Sequence, residues 1–251
     1  MQIVLLCAGY ATRLYPLTEN QPKSLLPVGG KPLLNHLLDR VKEGTAVSQM
    51  FLVTNDRFQT HFSAWAKLTH APWEIKVVSD GTRSDKERLG ALGDLVFVIR
   101  NFRLESDLGV LAGDNLFDFD LGPFFSFAES HRPQVTIGVV DVRKKDLARH
   151  YGIVRIEKTG QIVEFLEKPG NPPSTLASTG IYWFPKESLV LLDRYLKEGH
   201  NADRLGDFIA WLVKVDRVFA YPFEGIWFDI GDLNSYQEAE RLFQESRNKP
   251  G

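Results

Sequence analysis

A single cysteine, Cys7, is all the thiol chemistry the chain possesses. One thiol excludes an internal disulfide and any zinc site built on cysteines. Long apolar runs are lacking too, and none approaches the ~20 residues a helix needs to cross a bilayer. The opening residues, Met1-Gln2-Ile3-Val4-Leu5-Leu6, carry no basic flank of the kind that marks a secretory leader. Charge of one sign is scarce as well. The formal net charge is −2, so nothing overall attracts nucleic acid or an anionic membrane. An anionic ligand must be held by a local cluster of cations. These absences lead to the expectation of a cytoplasmic protein with neither a nucleic-acid nor a membrane partner.

What is present is an ordinary globular composition, 43% hydrophobic and 25% charged over 251 residues, enough for one large α/β domain or two small ones. Residues 3–6 form a short apolar run ending in Ala8-Gly9, the pattern of a parallel strand buried on both faces and followed by a turn. Similar β-rich runs recur at 50–54, 75–79, 109–112 and 135–142, with helical spacing between them at 32–42 and 121–130. Alternation at this pitch implies βαβ crossovers and an open, largely parallel sheet. Ligands of such sheets sit beyond the carboxyl ends of the strands.

After about residue 150 the character changes. Runs 151–156 and 161–166 flank Glu157-Lys158-Thr159-Gly160 and read as a hairpin. A strand at 176–184, helices at 186–197 and 207–214, strands at 218–222 and 226–230, and a polar helix at 234–247 complete the chain. Asn171-Pro172-Pro173 reads as a loop. Segment 79–94, with Gly81, Gly90 and Gly93, reads as a loop that is either mobile or meets a ligand through its backbone. No repeat or low-complexity tract is visible. The expectation is one domain over 1–251, with one lobe at about 1–145 and a second lobe at about 146–251.

The densest chemical signal is Leu6-Cys7-Ala8-Gly9-Tyr10-Ala11-Thr12-Arg13-Leu14-Tyr15-Pro16-Leu17-Thr18, followed by Gln21-Pro22-Lys23-Ser24-Leu25-Leu26-Pro27-Val28. A buried strand running into small residues lets backbone N–H groups close on an anion. Arg13 offers a planar fork suited to phosphate oxygens, and Lys23 a point charge. Prolines 16, 22 and 27 stiffen the path between the two cations. Each residue alone reads as part of an ordinary solvated loop; the whole run does not.

This run resembles the signature of the sugar nucleotidylyltransferases, the glucose-1-phosphate thymidylyl- and uridylyltransferases. The similarity continues through Leu111-Ala112-Gly113-Asp114-Asn115, Tyr151-Gly152, Glu167-Lys168-Pro169, Thr179-Gly180-Ile181-Tyr182 and Trp227-Phe228-Asp229-Ile230-Gly231, and so covers nearly the whole chain. The resemblance implies a Rossmann-like three-layer α/β sandwich with a mixed, mostly parallel central sheet and a small sugar-binding lobe. It implies that Ala8 and Gly9 meet the nucleotide, that Arg13 grips the β- and γ-phosphates, and that Lys23 bridges the reacting phosphates. Gly90 is similar to a glycine that reads the base through its main chain. Asp114 and Asp229 resemble two Mg2+ ligands, and Gly152, Glu167, Lys168 and Gly180 resemble contacts to the sugar phosphate. The implied partners are a nucleoside triphosphate, with dTTP or UTP favoured, and a sugar 1-phosphate, with glucose 1-phosphate favoured. Mannose, amino-sugar or choline phosphates would use much the same charges.

The aspartates make physical sense independently. Asp114 follows an apolar strand and Asp229 ends a β-rich run, so both belong at strand ends, where a hard cation could sit between carboxylates and phosphate oxygens. Either aspartate alone would pass for a cap or turn residue. Two departures stand out. Tyr10 and Ala11 occupy a turn where the family often has adjacent glycines, which leaves less room and fewer backbone conformations. No glutamine-alanine pair follows Gly90, so the base is left open. Because the sequence ends soon after its last expected helix, the repeat-built C-terminal domain of some relatives is not expected here. Segments 174–180 and 201–207 are where acceptor specificity is expected.

Rival readings remain. Asp118-Phe119-Asp120 could be the metal motif of a nucleotide-sugar-dependent glycosyltransferase, although such enzymes need no triphosphate grip. A regulator that binds nucleotide or sugar phosphate without turnover is the other. Cys7 reads as a small packed residue, and Phe117, Phe119, Phe124, Phe125 and Phe127 as core. No pattern in the sequence specifies an oligomeric state.

Overall fold

The computed structural model describes residues 1–41 and 45–247. Its elements, in chain order, are β1 (Gln2–Leu6), β2 (Pro27–Val28), β3 (Lys31–Pro32), α1 (Leu33–Leu38), β4 (Gln49–Thr54), α2 (Gln59–Leu68), β5 (Ile75–Ser79), α3 (Gly90–Phe102), β6 (Leu108–Ala112) and β7 (Asn115–Phe117). They continue with α4 (Gly122–Ser130), β8 (Val135–Asp141), α5 (Lys145–Ala148), β9 (Gly152–Ile156), β10 (Ile162–Glu167), β11 (Leu176–Phe184), α6 (Leu189–Lys197), α7 (Leu205–Val215), β12 (Val218–Phe223), β13 (Trp227–Asp229) and α8 (Leu233–Arg247).

β1 lies inside the sheet, parallel to β4 on one side and β6 on the other, with Val4 opposite both Phe51 and Val110. That position explains its uninterrupted apolar sequence, since both faces must be covered. Val4, Phe51, Val53 and Val110 pack on one face with Leu92, Leu95 and Val98 of α3 and Phe208 and Ile209 of α7. Ile3, Leu5, Met50 and Leu52 face the other way, onto Phe62 and Trp65 of α2 and Phe124 and Phe125 of α4. This is a three-layer sandwich, its strand period of two sorting residues between two cores.

The sheet runs β10-β9-β11-β6-β1-β4-β5, and β8 branches from β11 to carry β12. It is parallel through β6, β1, β4 and β5, and turns antiparallel where β11 meets β6, β8 and β9. The sheet is therefore mixed and continuous across residue 145. Opposite β8, β11 slips register between Ser178 and Tyr182, and Gly180 takes φ +74° within that irregularity. A Cβ there would approach Ala112 Cβ and Asn115 Nδ2 to 2.9 Å, so glycine is required by both conformation and space. The bulge sets Gly180 against the carboxyl end of β6.

Two sequence expectations need correction. Segment 79–94 is not a loop throughout, because α3 begins at Gly90. Gly90 and Gly93 disguise the helix start, but tertiary packing overrides their poor propensity. Ala91 N–H donates to Asp203 O (2.8 Å) and Gly93 N–H to Ala202 O (3.0 Å). The helix expected over 32–42 is α1, Leu33–Leu38; Lys42 lies outside the described residues. The hairpin at 157–160 is present, closed by Glu157 N–H to Gln161 O, with Gly160 at φ +82°.

Candidate active site

The turn after β1 is held from below. Cys7 N–H continues the ladder to Val53 O, and buried Asn55 donates from Nδ2 to Ala8 O (2.9 Å). Gly9 is exposed, and open space lies where its side chain would be. Tyr10 turns inward, 4% exposed, its hydroxyl 3.2 Å from Thr82 Oγ1, so its bulk is spent away from the cleft. Ala11 adopts φ 49°, a left-handed conformation that disfavours a side chain. Its carbonyl accepts from Leu14 N–H (3.0 Å) and Thr18 Oγ1 (2.8 Å), contacts that hold the strained residue in place.

The path then takes two single turns, Thr12–Leu14 and Lys23–Leu25. Leu14 is fully buried and anchors the first, while Arg13 is exposed. Lys23 points inward from the second, and its Nζ donates to Asp114 Oδ2 at 2.7 Å. Burial works against the Lys23 ammonium, but Asp114 and then Asp229 more than offset it and the ammonium is held above its ordinary range.

Asp114 stands just past β6. Gly113 precedes it where a Cβ would lie 2.3 Å from Cys7 Sγ, so the strand end can press onto the β1 turn only as glycine. Cys7 itself is buried, its thiol pushed up to about 12 by burial. It is a packing residue, not a nucleophile. Next, β7 pairs antiparallel with β13, setting Asp229 opposite Asn115. Ile230 N–H donates to Asp114 O (3.1 Å), and Trp227 Nε1–H to Asn115 Oδ1 (3.1 Å). This small ribbon is what brings the two aspartates together. Asp229 is pushed up to about 6, first by burial and then by the charge of Asp114, while Lys23 and Lys168 pull it the other way.

At the far end, Glu167 closes β10 between two glycines. Cβ atoms at Gly206 and Gly152 would lie 2.2 Å and 3.1 Å from its Oε2. Burial raises its carboxyl, and Lys168 opposes that shift. Lys168 sits at φ 46°, its N–H on Tyr151 O at 3.1 Å.

One cleft of about 420 Å³ is lined by Ala8, Gly9, Gly90, Asp114, Gly152, Glu167, Lys168, Gly180 and Asp229, nine positions singled out in the sequence. Lys23 reaches it through Asp114. Arg13 does not line it; its charge instead bears on Asp232, a carboxyl held low mainly by the Ser235 N–H. Gly90 turns its bare side to Asp203, whose Cα would lie 2.3 Å from a Cβ there. Asp118 and Asp120 are not part of the lining, and Asp118 Oδ1 instead accepts from Ile226 N–H at 2.7 Å. Phe117, Phe119, Phe124 and Phe125 are core, and Phe127 packs on His131 and Tyr221.

The cleft also contains residues that the sequence did not single out, Asp94, Trp227 and Arg88, together with Arg204 from segment 201–207, where acceptor specificity is expected. Trp227 stood inside a recognised motif. Arg88 grips Asp203 with two hydrogen bonds, Nε to Oδ1 (3.1 Å) and Nη2 to Oδ2 (3.2 Å), a pairing between distant loops that no local pattern announces.

The chain and its fold are similar to known proteins. The chain is 29% identical over 246 residues to the UTP–glucose-1-phosphate uridylyltransferase AglF of Haloferax volcanii, covering 98% of this chain and 97% of that protein. It is 28% identical over 251 residues to the bifunctional protein GlmU of Methanocaldococcus jannaschii, spanning 99% of this chain but only 55% of that longer protein. Its fold superposes on a UDP-glucose pyrophosphorylase solved with UDP-glucose at a TM-score of 0.81 and 21% identity, covering 98% of this chain and 99% of that one. The model of the nucleotidyl transferase family matches residues 2–246, and the chain belongs to that family.

Proposed function

We propose that this protein joins a nucleoside triphosphate to a sugar 1-phosphate, forming a nucleoside diphosphate sugar and releasing pyrophosphate. The observation that carries the reading is the Lys23–Asp114–Asp229 cluster at one cleft that the Gly9 turn and Glu167-Lys168 also line. A cation held beside paired carboxylates is what a reaction between two phosphates requires. UTP or dTTP with glucose 1-phosphate is the pairing we favour, because the Haloferax relative named for UTP and glucose 1-phosphate matches end to end.

A sugar-phosphate oxygen attacks the α-phosphorus, the new P–O bond forms, and the α–β bridging bond breaks to release pyrophosphate. The attacking oxygen is already anionic near neutral pH, since a phosphate monoester has a second pKa of about 6. No general base is needed. The residues instead supply alignment and positive charge. Lys168 holds the sugar phosphate and Glu167 a sugar hydroxyl, while Lys23 offsets charge building between the reacting groups. The Gly9 backbone admits the triphosphate, and Arg13 meets its outer phosphates from the rim.

Asp114 and Asp229 fit Mg2+. Burial first, and then the charge of Asp114, hold the Asp229 carboxyl up, so the two acids feel each other, and Mg2+ is usually held by one or two carboxylates plus substrate oxygens. When bound, it would supply Lewis-acid stabilisation of phosphate charge.

The test is a matrix of triphosphates against sugar phosphates, with Mg2+ or EDTA, read by pyrophosphate release. Release only when both substrates and the metal are present is expected. Binding without release across the matrix would make the chain a regulator, and consumption of a formed nucleotide sugar would make it a glycosyltransferase.

A further inference from the structure

Asp94 is a cleft carboxyl for which the proposed reaction has no use. Asp114 and Asp229 flank Lys23, Glu167 lies between two glycines, and Asp203 is held by Arg88. Asp94, in the first turns of α3, lines the cleft yet is only 6% exposed. Its Oδ1 is sealed from solvent and meets no donor from the protein among the described residues. A buried acceptor left in that state would cost about 1–3 kcal/mol.

Its neighbour resolves the difficulty. Asp80, just past β5, hydrogen-bonds Asp94. Asp80 Oδ1 already accepts from Thr82 N–H (2.7 Å) and Thr82 Oγ1 (2.8 Å). Burial raises Asp80 on balance, but the two Thr82 donors favour its anion and Asp94 Oδ1 has no such donor, which places the shared proton on Asp94. Burial, then the charge of Asp80, push Asp94 up to about 8, in line with that placement. Asp94 is then a neutral carboxylic acid. Its O–H is committed to Asp80, and its other oxygen is a carbonyl-type acceptor on the cleft wall.

The cleft lining around the start of α3 includes Leu6 and Ala91, both apolar, and Arg88 there is already paired. Neither apolar side chain attracts phosphate. The part of a nucleoside triphosphate suited to an apolar lining with one acceptor is the base. We propose that Asp94, oriented by Asp80, is the base-specificity residue and accepts a hydrogen bond from the ring N–H of a keto base: uracil, thymine or guanine. Cytosine and adenine present a ring-nitrogen lone pair at the same edge position, which an acceptor repels. This rests on the reading of the cleft as a nucleotide site and deepens it.

The test compares UTP, dTTP, GTP, CTP and ATP in the wild type, Asp94→Leu and Asp94→Asn. Leucine matches the shape and lacks the acceptor. It should compress the UTP-over-CTP ratio of kcat/KM by about 10–100-fold, chiefly through the KM for UTP. Asparagine can donate its amide to Asp80 and keep its oxygen toward the cleft, so it should retain the wild-type ratio within about threefold. Wild-type enzyme should use 3-methyluridine triphosphate at least about tenfold less well than UTP. An unchanged ratio in a folded Asp94→Leu protein, or equal use of the methylated analogue, overturns the proposal. The analogue decides the matter if Asp94→Leu does not fold. Should no pair of substrates react at all, the functional reading fails, and calorimetric binding of the same triphosphates still tests Asp94.

Discussion

Lys23 Nζ and Asp114 Oδ2 meet at 2.7 Å although their positions come from different loops, one after the β1 turn and one after β6. The lysine ties the phosphate-side loop to the carboxylate pair, so one substitution should expose the site's chemistry without collapsing the fold. In Asp114→Ala, Lys23 still faces Asp229. Activity is expected to fall about a thousandfold or more, equivalent to ~4 kcal/mol of transition-state stabilisation. Circular dichroism should be unchanged. Turnover near the wild-type value in a folded variant would remove Asp114 from the proposed centre.

The Asp229 carboxyl predicts a pH-dependent metal affinity. It titrates at about 6 because burial, and then the charge of Asp114, favour its protonated form. Above that pH it is an anion and can ligate; below it, a proton must leave before a cation binds. Apparent Mg2+ or Mn2+ affinity should therefore rise with pH through about 6 and level off above 7, changing about tenfold per unit on the acid side. Calorimetric titration in two buffers of different ionisation enthalpy would detect the released proton. Affinity that stays flat from pH 5 to pH 8 would contradict the assignment.

Gly206 offers a way to disturb one substrate and spare the other. A methyl group there would stand 2.2 Å from Glu167 Oε2, and the carboxylate must swing away. Helix α7 itself tolerates alanine. In Gly206→Ala the KM for the sugar 1-phosphate should rise about tenfold or more, since a displacement near 1 Å is enough to cost that much. The KM for the triphosphate should stay within about twofold. Equal rises in both would place Glu167 outside the acceptor subsite.

Much of this was legible in the chain. The apolar runs of β1 and β4 and the β-rich patterns of β5 and β11 place all four strands within a residue of their observed bounds. Helix α3 was hidden because its first turn carries Gly90 and Gly93, and the turn is held by Ala91 and Gly93 N–H bonds to Asp203 and Ala202 of a sequence-distant segment. That Asp114 and Asp229 are neighbours depends on the β7–β13 ribbon, a pairing of short distant strands that sequence suggested only through family resemblance. The Asp80–Asp94 pair has no local signature at all. Two acids come together only when β5 and α3 are packed.

The unusual alanine in the first turn can be tested directly. Ala11 holds φ 49°, where glycine would be unstrained. Ala11→Gly should relieve about 1 kcal/mol even after the looser unfolded chain is counted, raising Tm by about 2–4 °C. Its carbonyl contacts to Leu14 and Thr18 are main-chain features and persist. A lower Tm would mean that the methyl group packs usefully and that the strain is overstated.

The shared proton of Asp80 and Asp94 also governs stability against pH. Asp94 is raised from 3.8 to about 8, so the native state binds its proton more tightly than the unfolded chain does. Stability from this site is fully present below about pH 4 and is lost as pH rises toward 8. The charged groups facing the pair work in the same direction: Asp56 raises Asp80, and the charge of Asp94 raises the Cys7 thiol. Asparagine at 94 stays neutral at every pH and can still donate to Asp80. Asp94→Asn should therefore unfold at higher denaturant than the wild type at pH 7.5, by on the order of 1–3 kcal/mol. At about pH 3.5, below the unfolded carboxyl's range, that advantage should be nearly gone. Parallel urea titrations at the two pH values give the comparison, and an advantage of equal size at both would mean that the proton does not reside on Asp94.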